Sequence, residues 1–81
     1  MSIKIFAKRA KELRESHGLT TRMLAEKLNI SCALISYYEN CKREPALSAL
    51  KAYAKYFGVS IDYLAGLSDR GDGSAKAQKA K

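Results

Sequence analysis

Small and polar residues recur at helical spacing in the middle of the chain. They occupy positions i, i+3, i+4 and i+7 and would share one face of a helix; they are Ala33, Ser36, Tyr37 and Asn40. The face offers a hydroxyl, an amide, an aromatic ring and a methyl group, but no charge. Such groups can contact base edges and thymine methyls in the major groove of DNA, and an ordinary solvated face is the alternative interpretation.

Cations lie on both sides of this face in the sequence. Arg22 precedes it, and Lys42 and Arg43 follow it directly, where cations would contact phosphates without recognising sequence. The whole chain has 15 Lys and Arg against 8 Asp and Glu, a net charge of +7. This excess predicts a polyanionic partner, which could be nucleic acid, anionic lipid or an acidic protein.

The elements that would position these residues are all helices. Apolar residues follow helical spacing from Ile3 to Leu67, hydroxyl residues stand where helices would begin, and Gly18, Asn29 and Gly58 stand where they would end. The predicted helices span about 3–16, 21–28, 32–40, 46–57 and 61–66. The short turn between the second and third helices predicts a helix-turn-helix.

Apolar stripes predict which faces form the core. The first helix would bury Phe6, Ala10 and Leu13. In the fourth helix the predicted stripe is Leu47, Leu50, Ala54 and Phe57, with Tyr53 and Tyr56 at the edge of the core. Residues 1–68 would form one domain. Residues 69–81 are rich in Gly, Ser, Ala and Lys and are predicted to be a disordered basic tail, or a linker to a further domain.

Several local motifs occur together between Leu13 and Asp69. The second helix carries the small residue Ala25, and apolar residues stand around it in the sequence, Leu24, Leu28, Ile30 and Ile35. The third helix ends in Tyr38-Glu39-Asn40, followed by Lys42-Arg43-Glu44-Pro45, and the last two helices are joined by Gly58-Val59-Ser60 with Tyr63-Leu64 beyond. In this combination the chain resembles the lambda-repressor-like, or XRE, helix-turn-helix family.

The resemblance implies a compact five-helix domain and assigns roles to particular residues. The implied base contacts are Thr21, Cys32, Ala33, Ser36 and Tyr37, and the implied phosphate contacts are Asn40, Lys42 and Arg43, which Arg22 would join. It also implies a partly buried ion pair between Arg14 and Glu39. The chain departs from the family where Cys41 replaces a loop glycine, which we expect to shift the backbone near the phosphates, and where Asn29 replaces a turn glycine.

The function that these features predict is sequence-specific binding of double-stranded DNA by a transcriptional regulator, a repressor of phage or bacterial type. Residues 32–40 would be the recognition helix in the major groove of a partly palindromic operator. Apolar residues of the fifth helix either close the core or form a homodimer interface: Ile61, Tyr63, Leu64 and Leu67. The alternative is a protein-interaction module, such as an antitoxin or an anti-regulator.

Other classes of function find little support in the sequence. His17 is the only histidine and is expected to cap a helix end, and no nucleophile, base and acid can be grouped into a catalytic set, so we expect no enzyme, cofactor or small-molecule substrate. Two cysteines and one histidine fall short of the four ligands of structural zinc. Without a signal-like or membrane-spanning apolar run the chain is predicted to be cytoplasmic, with reduced thiols; a redox role for Cys32 is the less favoured interpretation.

Overall fold

The computed structural model describes residues 1–69, and these form an all-helical fold, as predicted. The predicted tail lies outside the described residues apart from Asp69. Five helices follow one another without a strand in this part of the chain: α1 (Ile3–Ser16), α2 (Thr21–Leu28), α3 (Cys32–Glu39), α4 (Leu47–Phe57) and α5 (Ile61–Ala65). Helix α1 packs against α3 and α5, α2 against α3 and α4, and α4 against α5.

Hydroxyl side chains begin most of the helices. Thr20, Ser31 and Ser60 each accept a hydrogen bond of 3.0 Å from the backbone N–H three residues later, and Ser2 does the same for α1 at 3.1 Å. Each cap satisfies a backbone donor that has no partner within its helix, which is worth about 1 kcal/mol. Helix α4 begins at Ala46 without a side-chain cap.

The observed bounds differ from the predicted ones by one residue in three places. Asn40 and Gly66 follow the last residues of α3 and α5, and Ala46 precedes the first residue of α4. All three are flanking residues that share only part of the helical hydrogen bonding. His17 caps α1 as expected, with Nδ1 2.9 Å from the carbonyl oxygen of Leu13.

Three aromatic rings from three helices form the centre of the core. Phe6 of α1 meets Tyr38 of α3 edge to face, with ring centroids 5.6 Å apart, and Tyr53 of α4 in the same way at 5.3 Å. Edge-to-face pairs of this kind add about 0.5–1.5 kcal/mol to the free energy of burial. Leu24, Ile35 and Leu64 are also completely buried around the rings.

The predicted stripe of α4 was wrong at one end. Leu47 is 62% exposed, whereas Ala49, Leu50 and Tyr53 are the buried residues. Leu47 is the first residue of α4, and the buried face is centred away from it. Tyr53, predicted at the edge, lies at the centre of the core, because α1, α3 and α4 converge on it, and this convergence cannot be deduced from the period of one helix.

Helix α5 divides its apolar residues between the core and the surface. Leu64 is completely buried within the monomer, so it must be removed from the predicted dimer interface. Ile61 and Tyr63 are partly buried, and Leu67 is 72% exposed. Arg9 of α1 holds this end of the fold, since its guanidinium donates hydrogen bonds to the carbonyl oxygens of Tyr63 and Ser68 and lies 4.1 Å from the centre of the Tyr63 ring.

Candidate nucleic-acid interface

The turn between α2 and α3 sets the direction of α3. Asn29 adopts the left-handed conformation, with φ 58° and ψ 43°, which asparagine tolerates better than most side chains. The Ile30 N–H donates to the carbonyl oxygen of Ala25 at 3.1 Å, and the Asn29 N–H to that of Glu26 at 3.3 Å. This pair of hydrogen bonds is the Schellman motif, and it lets Asn29 act as the family's glycine would.

The first residues of α2 and α3 lie next to each other. Sγ of Cys32 is 3.4 Å from Oγ1 of Thr21, within hydrogen-bond distance for a thiol. Two positions implied to contact bases, 11 residues apart in the sequence, therefore form one continuous surface. Both cysteines of the chain are exposed free thiols.

The exposed and buried sides of α3 follow the predicted division. Ile35 and Tyr38 are buried in the core, and the predicted outward residues are all exposed: Ala33, Ser36, Tyr37 and Asn40. The outward side has no formal charge and only one large side chain, Tyr37. It can present hydrogen-bonding groups to a groove while the other side remains fixed in the core.

The end of α3 repeats the geometry of the end of α2. Cys41 has φ 59°, and the Lys42 N–H donates to the carbonyl oxygen of Tyr37 at 2.8 Å, while the Cys41 N–H donates to that of Tyr38 at 3.3 Å. Cys41 thus adopts the conformation that glycine would adopt. A side chain at this positive φ is strained, so the replacement of glycine introduces strain here, and the expected shift of the backbone near the phosphates stays a prediction.

Asn40 is hydrogen-bonded to the last turn of α3. Its Nδ2 donates to the carbonyl oxygen of Ser36 at 2.8 Å and lies 3.3 Å from Ser36 Oγ. The sequence analysis missed this contact, although the spacing of four residues on a helix could have indicated it. An amide nitrogen carries two hydrogens and both have an acceptor on Ser36, so a phosphate oxygen would have to replace one of these bonds.

Exposed cations lie in the first turn of α2 and in the loop that follows α3. Arg22 is exposed in the first turn of α2, and Lys42 and Arg43 are exposed directly after α3. The guanidinium carbon of Arg43 lies 5.9 Å from the centre of the Tyr37 ring, which is within the range of a cation–π interaction. This contact joins a residue implied to bind phosphate to one implied to contact a base, and it depends on a loop conformation that the sequence did not specify.

An ion pair attaches the end of α3 to α1. Arg14 Nε donates to Glu39 Oε2 at 2.7 Å, Nη2 donates to Oε1 at 3.0 Å, and Nη1 donates to the carbonyl oxygen of Leu19 at 2.8 Å. The hydrogen bond to Glu39 raises the pKa of Arg14 by more than burial lowers it, so the guanidinium stays charged. The pair fixes the helix that carries the outward face relative to α1.

The part of the chain that the structure describes contains neither a metal-binding cluster nor a membrane-spanning helix. Within residues 1–69 no three His, Cys, Asp or Glu side chains come together in a way that could hold a metal ion. None of the helices in that range has both the length and the apolar character needed to cross a membrane.

Comparison with known proteins gives consistent matches. The profile of the Helix-turn-helix family matches residues 11–64. The chain is 34% identical over 77 residues to the uncharacterized HTH-type transcriptional regulator YobD of Bacillus subtilis (strain 168), an alignment that covers 95% of the chain and 69% of that protein. No solved structure gives a significant match.

Two further relatives match a shorter stretch. The identity is 42% over 59 residues with the HTH-type transcriptional regulator ImmR of the same organism, and 39% over 59 residues with the HTH-type transcriptional activator BcrR of Enterococcus faecalis. Each alignment covers 73% of the chain, but only 46% of ImmR and 29% of BcrR. The extent of these matches and the five-helix fold establish that the chain belongs to the lambda-repressor-like, or XRE, family of helix-turn-helix domains.

Proposed function

We propose that the domain binds double-stranded DNA sequence-specifically, as a transcriptional regulator that inserts α3 into the major groove. The observation that carries this proposal is the uncharged, exposed side of α3, together with exposed cations in the first turn of α2 and in the loop after α3, where Arg43 approaches Tyr37. The similarity to YobD, ImmR and BcrR, which are named as HTH-type transcriptional regulators or activators, supports the same function.

The roles of the residues follow from their chemistry. Ser36 and Tyr37 carry hydroxyls that can hydrogen-bond to base edges, whereas Cys32 and Ala33 cannot form the two-bond contacts that Arg, Asn or Gln make with a base. Thr21 would complete this base-contacting surface from α2. We therefore infer few hydrogen bonds to bases, more contacts with thymine methyls, and a contribution from DNA shape.

Phosphate contacts would hold the domain in register along the groove. Arg22 would bind the backbone on one side of α3, and Asn40, Lys42 and Arg43 on the other. Phosphate contacts of this kind provide affinity without base discrimination, and each one releases counterions, so binding weakens as salt rises.

We infer that the regulator acts as a dimer on a partly palindromic operator, and that it represses. The partly buried and exposed apolar groups at the end of the domain, Ile61, Tyr63 and Leu67, are the proposed contact surface, now without Leu64. A dimer would place two copies of α3 one DNA turn apart, about 34 Å. Repression is the simpler outcome, because occupation of an operator requires only the DNA-contacting surface.

The test is selection from random duplexes at one fixed salt concentration, followed by affinity measurements on the selected and scrambled sequences. We expect a selected sequence with two related half-sites and a clear preference over the scrambled duplex. Ser36→Ala and Tyr37→Ala should change which bases are preferred. Failure to select any duplex would overturn the proposal and favour the protein-interaction alternative.

Variants of the flanking cations separate the two kinds of contact. Lys42→Ala and Arg43→Ala should weaken all duplexes alike and reduce the salt slope by about one each. The matched control is Lys8→Ala, which removes the same charge from the exposed side of α1. Equal effects at Lys8 and Lys42 would show that only the net charge matters, and would contradict the proposed orientation on DNA.

A further inference from the structure

A groove opens between α2 and α4, separate from the outward side of α3. Its volume is about 430 Å³, and it is lined by Lys27 and Leu28 of α2 and by Ala52, Lys55 and Tyr56 of α4. Cavities of about 300–1,000 Å³ are typical of ligand sites, and this one could hold one or two side chains of a partner. We call it the α2–α4 groove.

The lining combines an apolar floor with positive edges. Leu28 and Ala52 supply aliphatic carbon, and Tyr56, which is 40% exposed, supplies an aromatic wall. Lys27 and Lys55 are exposed, one on each helix. The ion pairs found within residues 1–69 involve Arg9 and Arg14 and leave both lysine ammonium groups without a carboxylate.

The α2–α4 groove lies away from the proposed DNA-contacting surface. It begins at Lys27 and Leu28, at the end of α2, whereas Thr21 at the beginning of α2 contacts Cys32 of α3. Seven residues of α-helix separate Thr21 from Leu28, a distance of about 10 Å along the axis at ~1.5 Å per residue. The residues that line the groove are therefore distinct from the proposed DNA-contacting residues.

The charges of the groove decide among possible occupants. Residues 70–81 of the chain contain four Lys and Arg and one Asp, so the two groove lysines would repel that segment. A nucleic-acid backbone could pair with the two lysines but would bring no apolar group to pack on Leu28 and Ala52. An acidic peptide with an apolar side chain matches both the floor and the edges.

We propose that the α2–α4 groove binds an acidic segment of a partner protein. One apolar side chain of the segment packs over Leu28 and Ala52 against Tyr56, and carboxylates on either side of it pair with Lys27 and Lys55. The proposal concerns residues outside the proposed DNA-contacting set, and binding of the acidic segment can be tested in the absence of DNA, independently of the proposed function.

The experiment uses a random 12-residue peptide library displayed on phage and selected against the full chain. We expect enriched sequences that carry two or more Asp or Glu around one Leu, Ile or aromatic residue. A synthetic copy of the most enriched peptide is then titrated against wild type, Lys27→Glu/Lys55→Glu and the matched control Lys8→Glu/Lys11→Glu. The groove variant should lose at least tenfold in affinity, and the control, with the same net charge, less than threefold.

A second pair of substitutions keeps the test independent of folding. Lys27 and Lys55 lie in the last turns of their helices, where a cation also offsets the helix dipole. Lys27→Gln/Lys55→Gln avoids a repulsive charge there, and it should still weaken the peptide several-fold while its circular dichroism spectrum and DNA affinity stay close to those of wild type.

Four outcomes would overturn the proposal. The first two are the absence of any enriched acidic peptide and an equal loss of affinity in the groove and control variants. The third is an NMR titration in which the peptide changes chemical shifts on α3 and not around Tyr56. The fourth is self-association of the chain that Lys27→Glu/Lys55→Glu abolishes. The last result would assign the groove to a second copy of the chain. None of these outcomes bears on whether random-duplex selection succeeds, so failure of this proposal can be distinguished from failure of the proposed function.

Discussion

Removal of Glu39 should destabilise the domain more than any single change on its exposed surface. Arg14 and Glu39 side chains are only 12% and 7% exposed, and Glu39→Ala takes away two of the three hydrogen bonds of the guanidinium, leaving the Leu19 carbonyl oxygen. Loss of one partner of a buried pair costs about 3–5 kcal/mol of folding free energy. We expect the lower end, about 3 kcal/mol, because Arg14 remains partly accessible to solvent and its Nη2 lies 3.9 Å from Oε2 of Glu15. For a domain of this size the fall in Tm should be roughly 12–24 °C.

The assay is a double-mutant cycle with urea and thermal unfolding followed by circular dichroism. Glu39→Ala, Arg14→Ala and the double variant are compared with wild type, and the coupling energy is the part of the two losses that is not additive. We expect a coupling of about 2 kcal/mol or more, which exceeds the ~0.2–1 kcal/mol of exposed pairs. Strict additivity, or a coupling within the exposed range, would refute the conclusion that this pair fixes α3 to α1.

Three further changes test the backbone strain, the core and the anchoring of α5. Cys41→Gly should stabilise the domain by about 1 kcal/mol in urea unfolding, because φ 59° is strained for a side chain, whereas Cys41→Ala should change little. Tyr53→Phe should stabilise the domain by about 1 kcal/mol at pH 7, since the buried hydroxyl has no hydrogen-bond partner in residues 1–69. Burial raises the pKa of Tyr53 above 10.0 in the folded state, so the tyrosine of the unfolded chain ionises first. Above pH 10 the wild type should therefore lose up to about 1.4 kcal/mol of folding free energy per pH unit that the Phe variant does not lose. Arg9→Met should cost about 1–2 kcal/mol and speed hydrogen exchange at the end of α5 but not in α2, because it removes hydrogen bonds to two backbone carbonyls, an exposed ion pair with Asp69 and a contact with the Tyr63 ring.

The positions of the helices could be predicted closely because their ends are determined locally. Thr20 and Ser31 cap the helices that follow them, and Asn29 and Gly58 adopt the left-handed conformations that end α2 and α4. These signals act within four or five residues and do not depend on tertiary contacts. The buried faces were less certain, since Leu47 is exposed and Tyr53 is central for reasons that involve α1 and α3.

The candidate interface could be predicted as a set of residues but not as a set of contacts. Helical spacing alone indicated that Ser36 and Tyr37 share a face, and the structure places both on the exposed side of α3. The approach of Arg43 to Tyr37 and of Cys32 to Thr21 depends on how two turns direct the chain. Such contacts between distant positions require the three-dimensional arrangement, as did the discovery that Leu64 belongs to the core.

The two left-handed residues that border α3 have a consequence for how its specificity can change. Asn29 closes the hydrogen-bond pattern at the end of α2, and Cys41 closes the one at the end of α3. The number of residues between them is therefore set by backbone geometry at both ends. The outward side chains of α3 take no part in the hydrophobic core. Under the proposed function, new target preferences would therefore arise by exchanging those side chains within a segment of constant length, while the core and the stability of the domain are kept.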